Sequence, residues 1–371
     1  NVQAVLNGRV VNRDKQFVLS LELIDAKTEN VIWSGEYTRT QADVLSMQSE
    51  IARDVSRKLQ TRLSGSTETR LAATYSTNPE AYERYLKARF HWNKRTPQDL
   101  QKSVDYFQEA IAIDPQYALG YAGLADGYTL LAAFGGAPPR EVMPKAKDAA
   151  LKCISLDEHL SEPYVALGHI AEYYDYDFAQ SEQHFLRAIQ LNPNNANAHE
   201  FLGTLLSNLG RHQEGKARTK PALELEPTSV GANRMYGEAL LFARKYDESI
   251  AQLKKTIDLD SGFSSAYRSL ARVYLVTQNY PEHVEAHARH FELIGETETA
   301  ALMRDSFKKG GWQGYLRAMT GPNRPTRFFF PAYLAVYFAQ LGENDKAFEE
   351  LNKTYEDRFY YIAWMKNDPC L

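Results

Sequence analysis

Three histidines, His283, His287 and His290, follow one another at spacings of four and three residues. On a helix that spacing places all three on one side, where they could hold a zinc ion. They also stand in the columns that Ala347, Leu351 and Thr354 occupy later in the chain, so packed or rim histidines are the favoured reading, and no metal site is assigned. A second set is charged: Arg234, Arg268 and Arg272 recur in step with Glu200 and Glu238. Such arginines bind a carboxylate through charge-assisted hydrogen bonds, or else pair with the acids beside them. A third set is aromatic. Tyr173, Tyr174, Tyr176 and Phe178 offer a stacking platform, but they read better as a wedge at a helix turn, with Asp175 and Asp177 capping the following helix. Enzyme signatures are absent: there is no glycine-rich phosphate loop before a helix, no His-Glu-x-x-His, no Gly-x-Ser-x-Gly and no paired-cysteine spacing. Gly135-Gly136 falls between helices and lacks the strand-to-helix setting of a phosphate site. The chain reads as non-catalytic and without a cofactor.

What positions these residues is a repeat. From Ala196 to Pro227 the chain describes a helical hairpin, with Leu202-Gly203 in its first helix, Leu209-Gly210 closing it, Ala222 and Leu225 on its second, and Pro227 ending the unit 34 residues after Pro193. The same interval carries Leu202-Gly203 to Tyr236-Gly237 and Leu270-Ala271, Ala222 to Thr256, and Leu225 to Leu259. This is the tetratricopeptide period. A single hairpin cannot bury its apolar stripe, whereas stacked hairpins share a continuous core, so an array is expected. First helices then line an inner wall and second helices an outer one, leaving a groove for a peptide or partner helix. Counting the repeat phase places Asp126, Thr129, His169, Glu172, Asn197, Glu200, Thr204, Arg234, Glu238, Arg268 and Arg272 on the groove side. The proposed contact is with a carboxylate or acidic segment of a partner, and pairing with Glu200 and Glu238 is the competing reading.

Read in order, residues 1–63 form a truncated α/β domain. Strands run over 4–11, 17–23 and 31–37, with Phe17, Leu19, Leu21 and Leu23 alternating with Val18, Ser20 and Glu22, and a helix over 46–63 carries Met47, Ile51, Val55, Leu59 and Leu63. A β-β-β-α unit of this size has a marginal core, so a further strand and helix upstream, or another partner for the open edge, is expected. Residues 64–77 make a polar linker. Six repeats occupy 78–294, irregular helices and a loop 295–327, and a seventh repeat with a partial capping helix 328–371. The second repeat has an enlarged turn at Ala133 to Met143, expected to project from the rim. The class is mainly α, a tetratricopeptide-type α-α superhelix behind a small α/β domain.

A formal charge of −4 with 24% charged residues supplies no basic excess, so direct nucleic-acid binding by this segment is not expected. Two cysteines, Cys153 at a helical core position and Cys370 near the end, make no disulfide framework. Apolar runs are broken by charges well short of a membrane span, and the start, without an initiator Met, reads as a fragment of a longer protein.

Some stretches are more particular. The runs Ala4-Val5-Leu6-Asn7-Gly8-Arg9-Val10, Leu21-Glu22-Leu23-Ile24-Asp25-Ala26, Ile32-Trp33 and Glu50-Ile51-Ala52-Arg53 resemble the TolB-like α/β domain that precedes tetratricopeptide arrays in bacterial signalling proteins. Residues Tyr85 to Thr96 and Tyr173 to Phe178 resemble the arrays of the same group. The resemblance implies a regulatory or interaction region whose output domain, a winged-helix, kinase or adenylate cyclase domain, lies outside this sequence, with self-association as one means of signalling. In that group the region often follows a membrane span, while cyclase-linked versions are cytoplasmic. A small-molecule or metal sensor, using the histidine helix or the enlarged turn, is the rival function.

Overall fold

The computed structural model describes residues 4–13, 16–25, 27–40, 50, 51, 54, 78–134, 136–322, 331–358 and 365–370. The chain divides into two compact units, Asn1–Lys87 with Tyr106–Gly120, and Ala88–Asp105 with Tyr121–Leu371.

In the first unit, β1 (Ala4–Arg13), β2 (Gln16–Asp25) and β3 (Val31–Thr40) form an antiparallel meander in the order β1-β2-β3. The register pairs Leu6 with Leu23 and Leu21 with Gly35, and slips at Leu23/Ile24. The period-2 alternation of β2 decides which face is covered: Leu21, Leu23 and Tyr37 are buried against Leu19, Trp33 and Ile51. Asp25 shapes the β2-β3 turn by accepting from the amides of Lys27 and Thr28, each at 2.8 Å. Glu50, Ile51 and Asp54 are helical, and Asp54 accepts a hydrogen bond from the Tyr37 hydroxyl at 3.0 Å. The rest of the expected 46–63 helix and the 64–77 linker lie outside the described residues. Val5, Leu6 and Val10 on β1 stay exposed.

The remainder is helical. Among the described residues, seven hairpins are built from α1 (Pro79–Lys94) and α2 (Pro97–Ile113), α3 (Ala118–Ala133) and α4 (Pro139–Leu156), α5 (Glu162–Ile170) and α6 (Phe178–Leu191), α7 (Ala196–Asn208) and α8 (His212–Leu225), α9 (Val230–Phe242) and α10 (Tyr246–Leu259), α11 (Ser264–Val276) and α12 (Tyr280–Leu293), and α14 (Pro331–Gln340) with α15 (Asn344–Glu356). Between the last two stands α13 (Thr297–Thr320). Its course breaks at Gly310 and Gly311, the latter at φ 58° and ψ −152°, a conformation open to glycine and costly for other residues. The break lets Met303 on one half and Tyr315, Leu316 and Met319 on the other enter one core with Phe291 and Tyr337.

Local chemistry explains the punctuation. Asp114, Asp157, Asn192 and Asp260, which follow α2, α4, α6 and α10, accept from the backbone amide two residues on, at 2.8–3.1 Å, and so turn the chain into the next hairpin. Asn195 and Ser229 cap α7 and α9. Within the α7–α8 hairpin the helices touch backbone to backbone: a Cβ on Gly203 would lie 2.7 Å from the Gly215 carbonyl oxygen, and one on Gly215 2.6 Å from that of Gly203. Both positions therefore require glycine.

Two sequence expectations change, and a third falls mostly outside the described residues. Residues 139–143 of the enlarged turn are the first turns of α4, and Phe134 does not project outward, because the Arg268 guanidinium lies 5.6 Å from its ring. At the aromatic wedge, Ala171–Asp175 form a π-turn that ends α5. Asp177 caps α6 through the Gln180 amide, but Asp175 faces away and pairs with Lys147 at 3.3 Å. The capping helix expected near Tyr360 falls mostly outside the described residues; residues 365–367 form a single 3₁₀ turn.

Candidate site on the inner helices

The inner face carries a set of buried and half-buried charges contributed by the end of α1 and by α3, α7, α9 and α11. At one end Arg95, just past α1 at φ 56°, lies 3.6 Å from the centroid of the Trp92 ring, and the Arg89 guanidinium lies 4.2 Å from the same ring. Burial lowers the Arg95 guanidinium to about 10, while Asp126 and Glu200 act in the opposite direction. Asp126 on α3 is pushed above the usual carboxylate range by burial, opposed by Arg95 and Arg89. Glu200 on α7 is raised to about 7, because burial outweighs the attraction of Arg95 and Arg234.

On α9, Arg234 and Glu238 make an i,i+4 ion pair at 2.9 Å. Glu238 also accepts from the Ser269 hydroxyl at 2.6 Å and lies 3.8 Å from Arg272. This collection of donors keeps the Glu238 carboxylate below its ordinary range despite its burial. Arg272 is only 3% exposed and turns to Asp368, 2.8 Å away. Arg268 is half-buried, facing Phe134.

The remaining groove positions are uncharged or sealed. His169 is buried between Tyr173, Phe185 and Phe201, with ring centroids 4.0–5.7 Å away, and burial, aided by Arg95, drives it down to about 3, so it is neutral. Glu172 is fully buried and accepts from Asn208 at 2.9 Å. Thr204 returns its hydroxyl to the Glu200 carbonyl, and Thr129 to that of Asp126. Asn197 is half-buried on the first turn of α7. The structure thus brings Asp126, Glu200, Arg234, Glu238 and Arg272 into one electrostatic system and leaves His169 and Thr204 in packed surroundings. Arg95 and Asp368 were missing from the sequence reading: the first lies among the extra residues at Asn93 to Pro97, and the second is far downstream with no repeat phase to mark it.

The three histidines of α12 are buried and hydrogen-bonded. His283 Nδ1 donates to the Ala271 carbonyl at 2.9 Å, leaving Nε2 to accept from the Tyr337 hydroxyl at 3.3 Å. His287 Nδ1 lies 3.2 Å from the Tyr315 hydroxyl, and His290 Nδ1 donates to the Ser264 carbonyl at 3.1 Å. Burial holds all three below the usual histidine range, His283 at about 4 and His290 at about 3. Among the described residues, no group of three or more His, Cys, Asp or Glu is placed to hold a metal ion, and no helix is long and apolar enough to cross a membrane.

Comparison with known proteins agrees with this architecture. Residues 234–289 match the family described as tetratricopeptide repeat. The helical part is a tetratricopeptide-repeat array, a fold that serves as a protein-interaction scaffold. Stretches of it are similar to parts of two bacterial proteins. The chain is similar to putative adenylate cyclase 3 of Rhizobium meliloti (strain 1021), at 26% identity over 127 residues, covering 33% of this chain and 21% of that protein. It is similar to the transcriptional regulator HilA of Salmonella typhimurium (strain LT2), at 26% identity over 130 residues, covering 35% and 23% respectively. The matches therefore span less than a quarter of the length of these relatives. Among solved structures, a thermophilic TPR protein of Thermus thermophilus matches at 20% identity and a TM-score of 0.37, over 53% of this chain and 99% of that one.

Proposed function

We propose that this chain is the non-catalytic, partner-binding part of a larger bacterial signalling or transcription-regulatory protein, and that its inner helices bind an acidic segment of that partner. The observation that carries the reading is the arginine arrangement on α9 and α11: Arg234, Arg268 and Arg272 are presented by two adjacent first helices, with Glu238 as the acid between them. Three guanidiniums stand with two carboxylates, Glu238 and Asp368, a setting in which an incoming carboxylate can exchange with one already present. Binding there would alter the packing of neighbouring hairpins and so bias an attached output domain, the role that similarity to a cyclase and a transcriptional regulator suggests.

The test is charge reversal at Arg268 and Arg272 together, with partner capture from the native cell extract as the readout. Loss of capture with retained helicity supports the proposal, and undiminished capture removes it. A sensor of small polar molecules is the second reading, favoured by His169, whose two ring nitrogens have no hydrogen-bond partner although the residue is 2% exposed. Calorimetry with zinc and small polar metabolites separates the two.

A further inference from the structure

The short segment around Asp368 occupies the inner face where the arginines stand. Asp368 is 5% exposed, and its carboxylate is 2.8 Å from Arg272 on α11. One residue earlier, the Asn367 side-chain amide donates to the Asn208 carbonyl at the end of α7, at 2.6 Å. Two residues later, the Cys370 thiol lies 3.9 Å from the Arg272 carbonyl, while the Cys370 amide donates to the other Asp368 carboxylate oxygen at 2.9 Å. Lys366, in contrast, is exposed.

Among the described residues, the polar contacts of the segment centre on one carboxylate, while Cys370 packs against the apolar cluster that contains Tyr337. The polar contacts span α7 and α11, two first helices that lie two repeats apart. These are features of a recognised peptide more than of a packed helix, whose anchorage would come from an apolar stripe. A carboxylate buried beside a guanidinium is held firmly while the pair is intact, and removing one partner leaves the other charge buried and uncompensated.

We propose that residues 365–370 are an internal ligand of the array: Asp368 fills the carboxylate seat on Arg272, and an acidic partner segment must displace it to bind. This rests on the acidic-segment reading above and adds that the seat is taken in the free protein. The class of partner follows from the occupant, a short segment of one 3₁₀ turn followed by an aspartate, with a side-chain amide beside it.

Cys370 supplies the probe. Cys370 is half-buried in the docked segment, where its surroundings raise its thiol well above the usual range, and Cys153, the other cysteine, is fully buried in α4, so a rise in the thiol-labelling rate of the full chain reports release of the segment. Asp368→Asn is expected to speed Cys370 labelling by roughly a hundredfold, the scale set by unpairing a buried charge. A synthetic peptide copying residues 365–371, with serine for the cysteine, should speed labelling of the unaltered chain in a saturable way, and the same peptide with asparagine for aspartate should not. The peptide should also bind the Asp368→Asn chain more tightly than the unaltered one.

Unchanged labelling in Asp368→Asn, or no effect of the acidic peptide on the unaltered chain, overturns the internal-ligand proposal. Because the peptide experiment uses the unaltered protein, a misfolded variant does not leave the question open. Loss of partner capture on arginine reversal together with unchanged labelling would retain the acidic-segment reading and reject the internal ligand alone.

Discussion

Glu200 shows how burial and charge compete at one position. Arg95 and Arg234 both favour its ionised form, yet removal from water wins and raises the carboxyl to about 7. Two helices away, Glu238 experiences the same burial but directly contacts Arg234 and Ser269, and it moves the other way. The difference is the closeness of the opposite charges: Arg234 at 2.9 Å and Arg272 at 3.8 Å outweigh the burial of Glu238, with the Ser269 hydroxyl at 2.6 Å adding to them. For Glu200, a folded-state value above the unfolded one means that its favourable contribution is fully present below about pH 4.5 and is lost as pH rises through about 7. Glu200→Gln abolishes that titration. The variant should therefore gain on the unaltered chain between pH 4.5 and 8, by roughly 3 kcal/mol at most for a shift of this size. Thermal melts of both proteins at the two pH values measure this double difference. A variant that instead loses ground toward pH 8 would mean that Glu200 is ionised against its arginines.

At the level of the element, one column of the second helices explains the histidines. Ser181 and Ser249 each donate a hydroxyl to a carbonyl on the first helix of their own hairpin, Gly168 at 2.9 Å and Gly237 at 2.7 Å. His283 stands one period beyond Ser249 and makes the same bond to Ala271, one period beyond Gly237. Gly215 holds the equivalent place in α8, where the backbones are already too close for a side chain. His283→Ser should therefore keep the interhelical bond and lose about 2–3 kcal/mol of packing, whereas His283→Ala should cost about 1 kcal/mol more, for the unmade bond. Urea denaturation ranks the two, and equal losses would show that the bond adds nothing.

This column also shows what the sequence made legible. Hairpins, their turns and the packed role of the histidines follow from contacts local in the chain, which a period of 34 residues displays directly, while the irregular helices of α13 showed only as a departure from that period. Arg272 was likewise assigned to the inner face from its phase. Its partner Asp368, 96 residues away, was not legible, because no repeat phase reaches it. The course of the enlarged turn was not legible for a related reason: composition marks a loop but not the direction in which it folds.

For the whole helical unit the question is how far stability departs from nearest-neighbour stacking, the rule for solenoids. The last hairpin touches more than its neighbour. Arg140, in the first turn of α4, donates from Nε to the carbonyl of Glu356 at 3.1 Å, satisfying one of the carbonyls that the end of α15 leaves without a helical partner. Arg358 donates to the Tyr174 carbonyl in the π-turn and lies 5.3 Å from the rings of both Tyr174 and Tyr176, while Tyr176 stacks on Tyr355. These bonds tie the seventh hairpin to the second and third across a long stretch of chain, so it cannot fray without breaking contacts at the other end of the array. Each bond is exposed or half-exposed and worth only about 1 kcal/mol, so replacing Arg140 and Arg358 together by alanine should lower global stability by roughly 2 kcal/mol. The local effect should be larger in kind. Amides of α15 should exchange with protection close to that of α9 and α11 in the unaltered chain, and well ahead of them in the double variant, which keeps the packing on α14 and the Tyr176–Tyr355 stack but loses both arginine ties. If α15 exchanges early in both proteins, the hairpin behaves as an ordinary solenoid end and the long-range bonds contribute nothing to cooperativity. If it is slow in the unaltered chain alone, the array unfolds as a tied structure, and release of the final hairpin becomes a distinct step that a bound partner could promote or prevent.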